Sequence, residues 1–123
     1  MSKIATDLPV AKQVKGAGRI LKEGIIYRSA TGTPSSMTPR VKDAKGLSAA
    51  DSLGNALPGR NQMIDVAKLK RLCAECDNPI TGHVSIYPID MREMQGWINS
   101  RNGPDIHPLT QELLDAVVGR KTK

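Results

Sequence analysis

The chain has 123 residues, which is enough for one small domain with a single hydrophobic core. It contains no Phe, one Trp and two Tyr, so we expect an aliphatic core. No apolar run approaches the roughly 20 residues that span a bilayer, and the N-terminus lacks a secretory signal pattern, so we expect no membrane insertion. Two cysteines are too few for a disulfide framework, which favours free thiols in a reducing compartment.

The positive charge is concentrated in the first third of the chain. The formal net charge is +6 at pH 7, and residues 1–45 hold nine Lys or Arg against three Asp or Glu. Residues 46–123 hold nine of each sign. This distribution suits a polyanionic partner such as RNA or DNA, or an acidic protein. The alternative is a basic, solvated leader that aids solubility.

The first predicted elements are a leader, a strand and a long loop. Apolar residues over 10–21 have helical spacing, but each of two glycines in that segment costs about 1 kcal/mol. Residues 1–23 are therefore predicted to be a basic leader or marginal helix. Residues 24–30 predict a short apolar strand. Residues 31–46 are rich in Gly, Pro, Ser and Thr, which predicts a loop long enough to be functional or disordered.

The middle of the chain predicts two more strands. Ser48 could cap one helical turn, with Asp51 three residues later. Residues 61–66 predict a strand, residues 77–79 a turn, and residues 82–88 the most regular strand of the chain.

Two helices are predicted in the last third. Asp90 is expected to cap a helix that ends near Ser100. Pro108 opens a second helix, and Gly119 is expected to stop it. The predicted fold is a small α+β domain, with a mixed or antiparallel sheet of three to four strands and two C-terminal helices. This compact unit covers 24–119, and residues 120–123 form a basic tail.

One histidine lies on the most regular predicted strand. Because side chains alternate along a strand, Val84 and Ile86 should face the core while His83, Ser85 and Tyr87 share the opposite face. An imidazole titrates near neutral pH and can exchange protons with a ribose hydroxyl or a leaving oxygen. The alternative is a solvent-facing strand with ordinary polar residues.

An arginine on the first predicted strand is the second candidate. Arg28 follows apolar residues, and a buried guanidinium is costly unless it is paired. Its planar fork fits a phosphate or a carboxylate, and Arg40 and Lys42 add positive charge nearby. The alternative is a salt bridge to Asp65 or Asp51.

The other histidine and the two cysteines are weaker candidates. His107 is either a second acid/base group or a helix-entry residue before Pro108. Cys73 and Cys76 form half of a zinc site, for which the histidines would supply the remaining ligands. The alternative is two small apolar side chains near a sheet edge, with no metal.

Several segments together carry a resemblance: Y-R-S-A-T-G-T-P-S-S-M-T-P-R, then K-G-L-S-A-A-D-S-L, G-H-V-S-I-Y-P and a closing H-P-L-T-Q-E-L. Over about residues 24–119 this layout resembles the C-terminal toxin domains of bacterial polymorphic toxin systems, including Rhs and contact-dependent inhibition proteins. The resemblance implies secretion or delivery within a larger effector, action in the cytoplasm of a competitor cell, and a cognate immunity protein. A free protein would be cytoplasmic.

Metal-independent ribonuclease toxins are the first type that the layout is similar to. The resemblance implies His83 as acid/base, Arg28 on the scissile phosphate and Ser85 or Thr81 assisting, with no cofactor and RNA as the partner. Tyr27 joins the catalytic candidates. The residues expected to contact substrate around them are Arg40, Lys42, Ser48, Thr81, Tyr87 and His107.

The second type is ADP-ribosyltransferase-like. Tyr27 and Arg28 resemble the strand that binds the NAD phosphates, and Ser48 resembles the serine-containing strand that follows. The late glutamate of that family is missing near His83. A third hypothesis is a non-enzymatic module that binds nucleic acid or protein, although the aromatic platforms of RNA-binding sheets are missing.

Overall fold

One seven-stranded antiparallel sheet forms the centre of the structure, a computed structural model that describes residues 18–123. Its strands in chain order are β1 (Arg19–Leu21), β2 (Ile25–Ser29), β3 (Leu47–Ala50), β4 (Arg60–Asp65), β5 (Leu72–Asn78), β6 (His83–Pro88) and β7 (Val117–Thr122). Across the sheet the order is β1-β5-β6-β3-β2-β4-β7. The middle of the sheet therefore consists of β6, β3 and β2, which carry His83, Ser48 and Arg28.

Two α-helices lie among the described residues, α1 (Met94–Asn99) and α2 (Pro108–Asp115). Short 3-10 turns complete the secondary structure: Ser35–Met37, Val41–Asp43, Leu53–Asn55, Val66–Lys68, Met91–Glu93 and Ser100–Asn102. The Asp90 side chain accepts a hydrogen bond from the backbone N–H of Arg92, so the predicted cap is confirmed. No helix in the described part of the chain has the length and apolar character needed to cross a membrane.

The predicted sheet of three to four strands was wrong, because the sheet has seven. The strands predicted at 24–30, 61–66 and 82–88 are confirmed as β2, β4 and β6. The additional strands are short or rich in Ala and polar residues, whose intrinsic preference for strands is low. Each of them is a strand because it pairs with a neighbour: β1 pairs with β5, β5 with β6, β3 with β6, and β7 with β4.

Two local predictions are wrong because pairing between strands overrides the local signal. Ser48 does not cap a helical turn but lies within β3, and Ser52 caps the 3-10 turn that follows. The last helix ends at Asp115, and Gly119 lies inside β7 rather than after a helix. Of the predicted leader, residues 1–17 lie outside the described residues, while Arg19–Leu21 form β1.

The core is aliphatic, as predicted, apart from two aromatic residues. Its fully buried side chains include Ile26, Leu47, Ile64, Val84, Ile86, Leu109 and Leu113. The single tryptophan, Trp97 of α1, is also completely buried within this cluster. The core thus joins the helices to the sheet in one contiguous apolar cluster.

A buried polar network attaches the long loop after β2 to the helices. Trp97 donates its indole N–H to Thr110 Oγ1 at 2.8 Å. The hydroxyls of Thr110 and Thr38 share a hydrogen bond of 2.6 Å, and Thr38 also donates to the carbonyl of Pro34. Thr110 further contacts the carbonyl of Met37 at 3.3 Å. One hydroxyl on α2 therefore fixes a loop that contributes to the site described below.

Replacing this hydroxyl should destabilise the protein. Thr110→Val keeps the volume but leaves the indole N–H of Trp97 without its acceptor, which should lower the free energy of unfolding by about 1–3 kcal/mol. Thr110→Ser keeps the hydroxyl and serves as the matched control. Urea unfolding followed by tryptophan fluorescence measures both. Equal midpoints for the Val variant and wild type would contradict the role given to this network.

Candidate active site

An opening between β2 and β3 lies at the middle of the sheet. These strands pair at only one position, Tyr27 with Ala50. Beyond that pair, Arg28 Nη1 donates to the carbonyl of Ser48 at 2.7 Å, and Nη2 donates to the carbonyl of Ser36 at 2.9 Å. A side chain thus replaces the backbone ladder at this point, which leaves room for a ligand between two strands.

Ser48 and His83 lie on the same face of the sheet, on neighbouring strands. Ser48 is paired with Ser85, and Ala50 is paired with His83, so Ser48 is a diagonal neighbour of the imidazole. The distance between Ser48 Oγ and His83 Nε2 is 3.2 Å. Nε2 is therefore directed toward β3 and the opening beside it.

A β-bulge turns an aspartate toward the same histidine. Cys76 pairs with Val84 and Asn78 with His83, so Asp77 is an extra residue in β5. Bulges locally redirect a side chain and are common beside active sites. Asp77 Oδ1 lies 2.6 Å from His83 Nδ1.

The second oxygen of this carboxylate is also occupied. Ser85 donates its hydroxyl to Asp77 Oδ2 at 2.6 Å. The carboxylate side chain is 14% exposed, whereas the imidazole is 42% exposed. The hydrogen bond from Ser85 thus fixes the Asp77 carboxylate, and the carboxylate in turn orients the imidazole of His83 through Nδ1. A carboxylate that accepts from Nδ1–H leaves Nε2 unprotonated in the neutral ring, so Nε2 can act as a base.

A glycine before the histidine fixes where this strand begins. Gly82 has a φ of +73°, in the left-handed region. A Cβ atom there would lie 2.3 Å from Asp51 Oδ1 and 2.4 Å from Asn55 Nδ2. Only glycine combines this conformation with such a close approach. The turn that carries Thr81 therefore packs directly on the loop that carries Asn55.

A cleft of about 290 Å³ opens in front of His83. Part of its wall is apolar: Ala49, Ala50, Ala56 and Leu57. Its polar and aromatic lining consists of Tyr27, Arg28, Ser29, Ser48, Asn55, Thr81 and His83. An apolar wall with a few convergent polar groups at one side is typical of small-ligand sites. We call this the histidine cleft.

A second cleft of about 240 Å³ is also lined by Arg28. Its lining includes three arginines, Arg28, Arg40 and Arg101, and one carboxylate, Asp43. Burial lowers the pKa of Arg28, the other two guanidinium groups lower it further, and Asp43 raises it. A guanidinium nevertheless stays protonated in proteins, so this arginine cleft carries an excess of positive charge.

Five of the predicted site residues meet at the histidine cleft. Tyr27, Arg28, Ser48, Thr81 and His83 all line it. Thr81 Oγ1 accepts a hydrogen bond of 3.4 Å from the backbone N–H of His83. The salt bridge considered as an alternative for the arginine is not formed with either predicted carboxylate. Its guanidinium instead binds two backbone carbonyls.

Two other predicted residues share the face of His83 but are covered. Ser85 is 6% exposed and Tyr87 is 3% exposed. Tyr87 donates its hydroxyl to Glu75 Oε1 at 2.9 Å, and burial, the main cause, raises its pKa. Neither residue lines the histidine cleft. Ser85 contacts His83 only through Asp77, and the hydroxyl of Tyr87 is bound to Glu75.

The remaining candidates lie apart from His83. His107 is the N-cap of α2, where its Nδ1 accepts from the backbone N–H of Leu109 at 3.1 Å. Arg40 lines the arginine cleft, whereas Lys42 is exposed and lines neither cleft. The contacts of His107 are therefore those of a helix-entry residue before Pro108.

The two cysteines face opposite sides of β5. Cys76 is 3% exposed in the core beside Val84, whereas Cys73 pairs with Tyr87 on the other face. Two thiols on opposite faces of a strand cannot ligate one ion together. Within residues 18–123 no group of three or more Cys, His, Asp and Glu side chains is placed to hold a metal.

Sequence reasoning missed Asp77 and Arg101. Asp77 stands before Asn78-Pro79, which suggests a turn, and the pairing of β5 with β6 brings it to His83. Arg101 follows α1 and reaches the arginine cleft from a distant part of the chain. For Asp77 the available signal was an acidic residue six positions before His83. For Arg101 no local feature of the sequence indicates a role at the site.

No protein-family model, curated protein or solved structure matches the chain. The site combines an oriented imidazole, a neighbouring hydroxyl and a fixed cation around one cleft. That combination suits proton abstraction from a hydroxyl next to a group that gains negative charge.

The cap at His107 should make stability depend on pH. Burial chiefly, and then Arg71, lowers the pKa of His107 in the folded protein. The unfolded chain therefore takes up this proton first as the pH falls below about 6.5, and the free energy of unfolding decreases. His107→Asn keeps a good N-cap that does not titrate.

The measurement is urea unfolding at about pH 7.5 and pH 5.5, with and without His107→Asn, in a His83→Asn background that removes the other histidine. The decrease in stability at the lower pH should be smaller with Asn at 107. The same decrease in both proteins would show that protonation of this cap has no effect on folding.

Proposed function

We propose that this protein is a metal-independent ribonuclease and a toxin domain of the bacterial polymorphic type. One observation carries the proposal: His83, oriented by Asp77, presents Nε2 to a cleft whose wall also contains the guanidinium of Arg28. When a ribose 2′-hydroxyl attacks the neighbouring phosphodiester, a base must take the hydroxyl proton and a cation must stabilise the charge on the phosphate. The cleft brings one group of each kind together. The basic composition favours a polyanionic substrate.

The proposed reaction needs no group beyond these side chains. His83 Nε2 takes the proton of the ribose 2′-hydroxyl, and the 2′-oxygen then attacks phosphorus. The bond from phosphorus to the 5′-oxygen breaks as the bond to the 2′-oxygen forms, which gives a 2′,3′-cyclic phosphate. The leaving 5′-oxygen takes up a proton from water. Arg28 stabilises the negative charge that accumulates on the phosphoryl oxygens.

The contacts of Arg28 make it suitable for this task. Its two carbonyl contacts fix the plane of the guanidinium, so little reorganisation is needed when charge develops. Nη1 and Nη2 each carry a second N–H beside the one donated to a carbonyl, and these are the donors proposed to face the phosphate oxygens.

The histidine cleft fits one nucleobase and its ribose. Its volume of about 290 Å³ is at the small end for ligand sites, and alanines with Leu57 give it an apolar wall. Tyr27 lines the same cleft and offers an aromatic ring against which a base can stack. Asn55 and Thr81 supply polar groups beside that position.

Ser48 provides a specific alternative, an acyl-transfer enzyme with a serine nucleophile. The distances Ser48 Oγ to Nε2 and Nδ1 to Asp77 have the arrangement of a Ser-His-Asp triad. Against this, Ser48 lies within a regular strand rather than on a sharp strand-to-helix turn. Its carbonyl also binds Arg28, a cation better matched to phosphate than to a neutral ester.

The ADP-ribosyltransferase-like hypothesis is supported by the same cleft but lacks its acid. Tyr27, Arg28 and Ser48 line the cleft together, as that resemblance implies. The carboxylate beside His83 is Asp77, which is already engaged by the imidazole and by Ser85. It is therefore not directed at an acceptor. The ribonuclease hypothesis, in contrast, needs only the His83 imidazole oriented by Asp77 and the nearby Arg28.

Removing the imidazole should abolish RNA cleavage. His83→Ala is expected to lower the rate about 10²- to 10⁴-fold, since that is the usual contribution of general acid–base catalysis. Arg28→Lys keeps the charge but loses the two-pronged contact, and should also be strongly impaired. Purified proteins would be incubated with total bacterial RNA, with and without EDTA, and the products resolved on a gel.

Cleavage by wild type that persists in EDTA and is lost in His83→Ala is the expected result. Intact RNA with wild-type protein, together with NAD hydrolysis, would replace this proposal by the NAD-consuming one. Growth arrest on tightly controlled expression in bacteria, relieved by His83→Ala, tests the toxin part separately.

Ser48→Ala should separate the 2′-hydroxyl from Ser48 as nucleophile, and the pair Asp77→Asn and Ser85→Ala should test how His83 is oriented. Ser48→Ala should keep RNA cleavage within about tenfold of wild type, because it removes only a hydrogen-bond partner of Nε2. Asp77→Asn should reduce the rate far more than Ser85→Ala, because the amide no longer accepts well from Nδ1–H and favours the wrong tautomer.

A fluorophosphonate probe gives the opposing readout. Covalent labelling of Ser48 that depends on His83, with complete loss of activity in Ser48→Ala, would establish the serine as nucleophile and reject the ribonuclease mechanism given above.

A further inference from the structure

The arginine cleft is built from three separate parts of the chain. Arg28 comes from β2, Arg40 from the loop after it, and Arg101 from the 3-10 turn after α1. Arg28 lines both this cleft and the histidine cleft. The two clefts are therefore neighbours that share Arg28 and Ser29.

Backbone carbonyls hold the arginine that is most distant in sequence. Arg101 Nη1 donates to the carbonyls of Ser35 and Thr38, at 2.6 Å and 2.9 Å. The carbonyl of Ser36, between them, accepts from Arg28. One short loop segment thus positions two guanidinium groups at the same cleft. Thr38 is itself fixed by Thr110, so the segment is anchored in the core.

The third arginine is paired with the only carboxylate in the lining. Arg40 Nε lies 3.4 Å from Asp43 Oδ2, and the Arg40 side chain is 53% exposed. Asp43 Oδ2 also accepts from the backbone N–H of Arg40 at 2.9 Å. Three cations against one anion leave the cleft with an excess of two positive charges. Hydroxyl residues complete its wall, namely Ser29, Thr31, Ser36 and Thr38.

We infer that the arginine cleft is a second phosphate subsite, which binds the phosphodiester next to the scissile one on an RNA strand. The inference rests on the proposed ribonuclease function and extends it from one nucleotide to a longer substrate. The strand would place a base and its ribose in the histidine cleft, cross Arg28 at the reacting phosphate, and place the next phosphate among the three guanidinium groups. Guanidinium and hydroxyl donors are the groups that bind phosphate oxygens in nucleic-acid complexes.

Asp43 gives this subsite a testable charge balance. In the unliganded cleft its carboxylate offsets part of the repulsion among the arginines. A phosphate would be attracted to the same cations and repelled by Asp43. Asp43→Asn keeps an oxygen for the backbone N–H of Arg40 but removes the charge. It should therefore raise affinity for a polynucleotide, whereas Arg40→Gln should lower it.

Binding would be measured with fluorescein-labelled DNA of two and of four nucleotides, which has no 2′-hydroxyl and cannot undergo the proposed reaction. Fluorescence anisotropy would be recorded over a range of salt concentrations. The tetranucleotide should bind more tightly to wild type than the dinucleotide. Arg40→Gln and Arg101→Gln should each weaken tetranucleotide binding by about tenfold and reduce the salt slope by about one. Lys68→Gln is the charge-matched control, on an exposed turn away from both clefts.

The outcomes separate this subsite from the catalytic proposal. RNA cleavage that depends on His83, with tetranucleotide binding equally affected by Arg40→Gln and Lys68→Gln, would overturn the subsite and leave the ribonuclease standing. Binding that follows the predicted order, including a gain for Asp43→Asn, would support the subsite even if no RNA were cleaved. Equal inhibition of binding by free phosphate in wild type and in Arg40→Gln would also count against it. Because Arg101 supports the loop, melting temperatures of its variant would be compared with wild type, and Arg40 and Asp43 provide the test if that variant is unfolded.

Discussion

The guanidinium of Arg28 connects parts of the structure that the backbone leaves apart. The strands β2 and β3 pair at one position only, and the loop after β2 has few backbone contacts with either. Two hydrogen bonds from Arg28, to the carbonyls of Ser48 and Ser36, join all three. Replacing it with an apolar residue would leave those carbonyls without these donors and let the strand and loop separate. The opening between β2 and β3 exists because the Arg28 side chain, and not a continuous ladder of backbone hydrogen bonds, joins the two strands there.

The second constraint is the bulge at Asp77. In a regular β5 the alternation would continue from Glu75, and Asp77 would pair with His83. The extra residue shifts the register so that Asn78 pairs with His83 instead, while the Asp77 carboxylate still contacts both His83 and Ser85. The cost of the interrupted ladder is offset locally by two short hydrogen bonds to a charged acceptor, which are stronger than bonds between neutral groups. The carboxylate at the bulge therefore orders the imidazole of His83.

Sequence reasoning found the elements whose residues have strong preferences of their own. The strand from His83 to Pro88 alternates clearly, and the helices have proline, acidic and capping signals at their starts. It missed β3 and β5, because sequences such as L-S-A-A and L-C-A-E-C-D-N have no intrinsic preference for strands and become strands only between paired neighbours. His83 and Arg28 could be proposed as site residues from their types and positions. Their connection through Ser48 and Asp77 could not, because it depends on strand order and register.

The charges around Arg28 also bear on how a small, aliphatic domain can hold a half-buried cation. Burial and two nearby guanidinium groups all disfavour the charged form of Arg28, and only Asp43 opposes them. The free-energy cost of this repulsion is offset by the rest of the fold, namely by the hydrophobic core and by the threonine network that anchors the loop. An anion that enters either cleft would reduce the repulsion among the arginines and supply acceptors for their remaining donors. Binding of an anionic ligand should therefore stabilise the folded protein, because a ligand that binds only the folded state shifts the unfolding equilibrium toward it. An anion bound there would recover part of the stability lost by placing three arginines around one cleft, which is the physical reason for proposing this arrangement as a binding site.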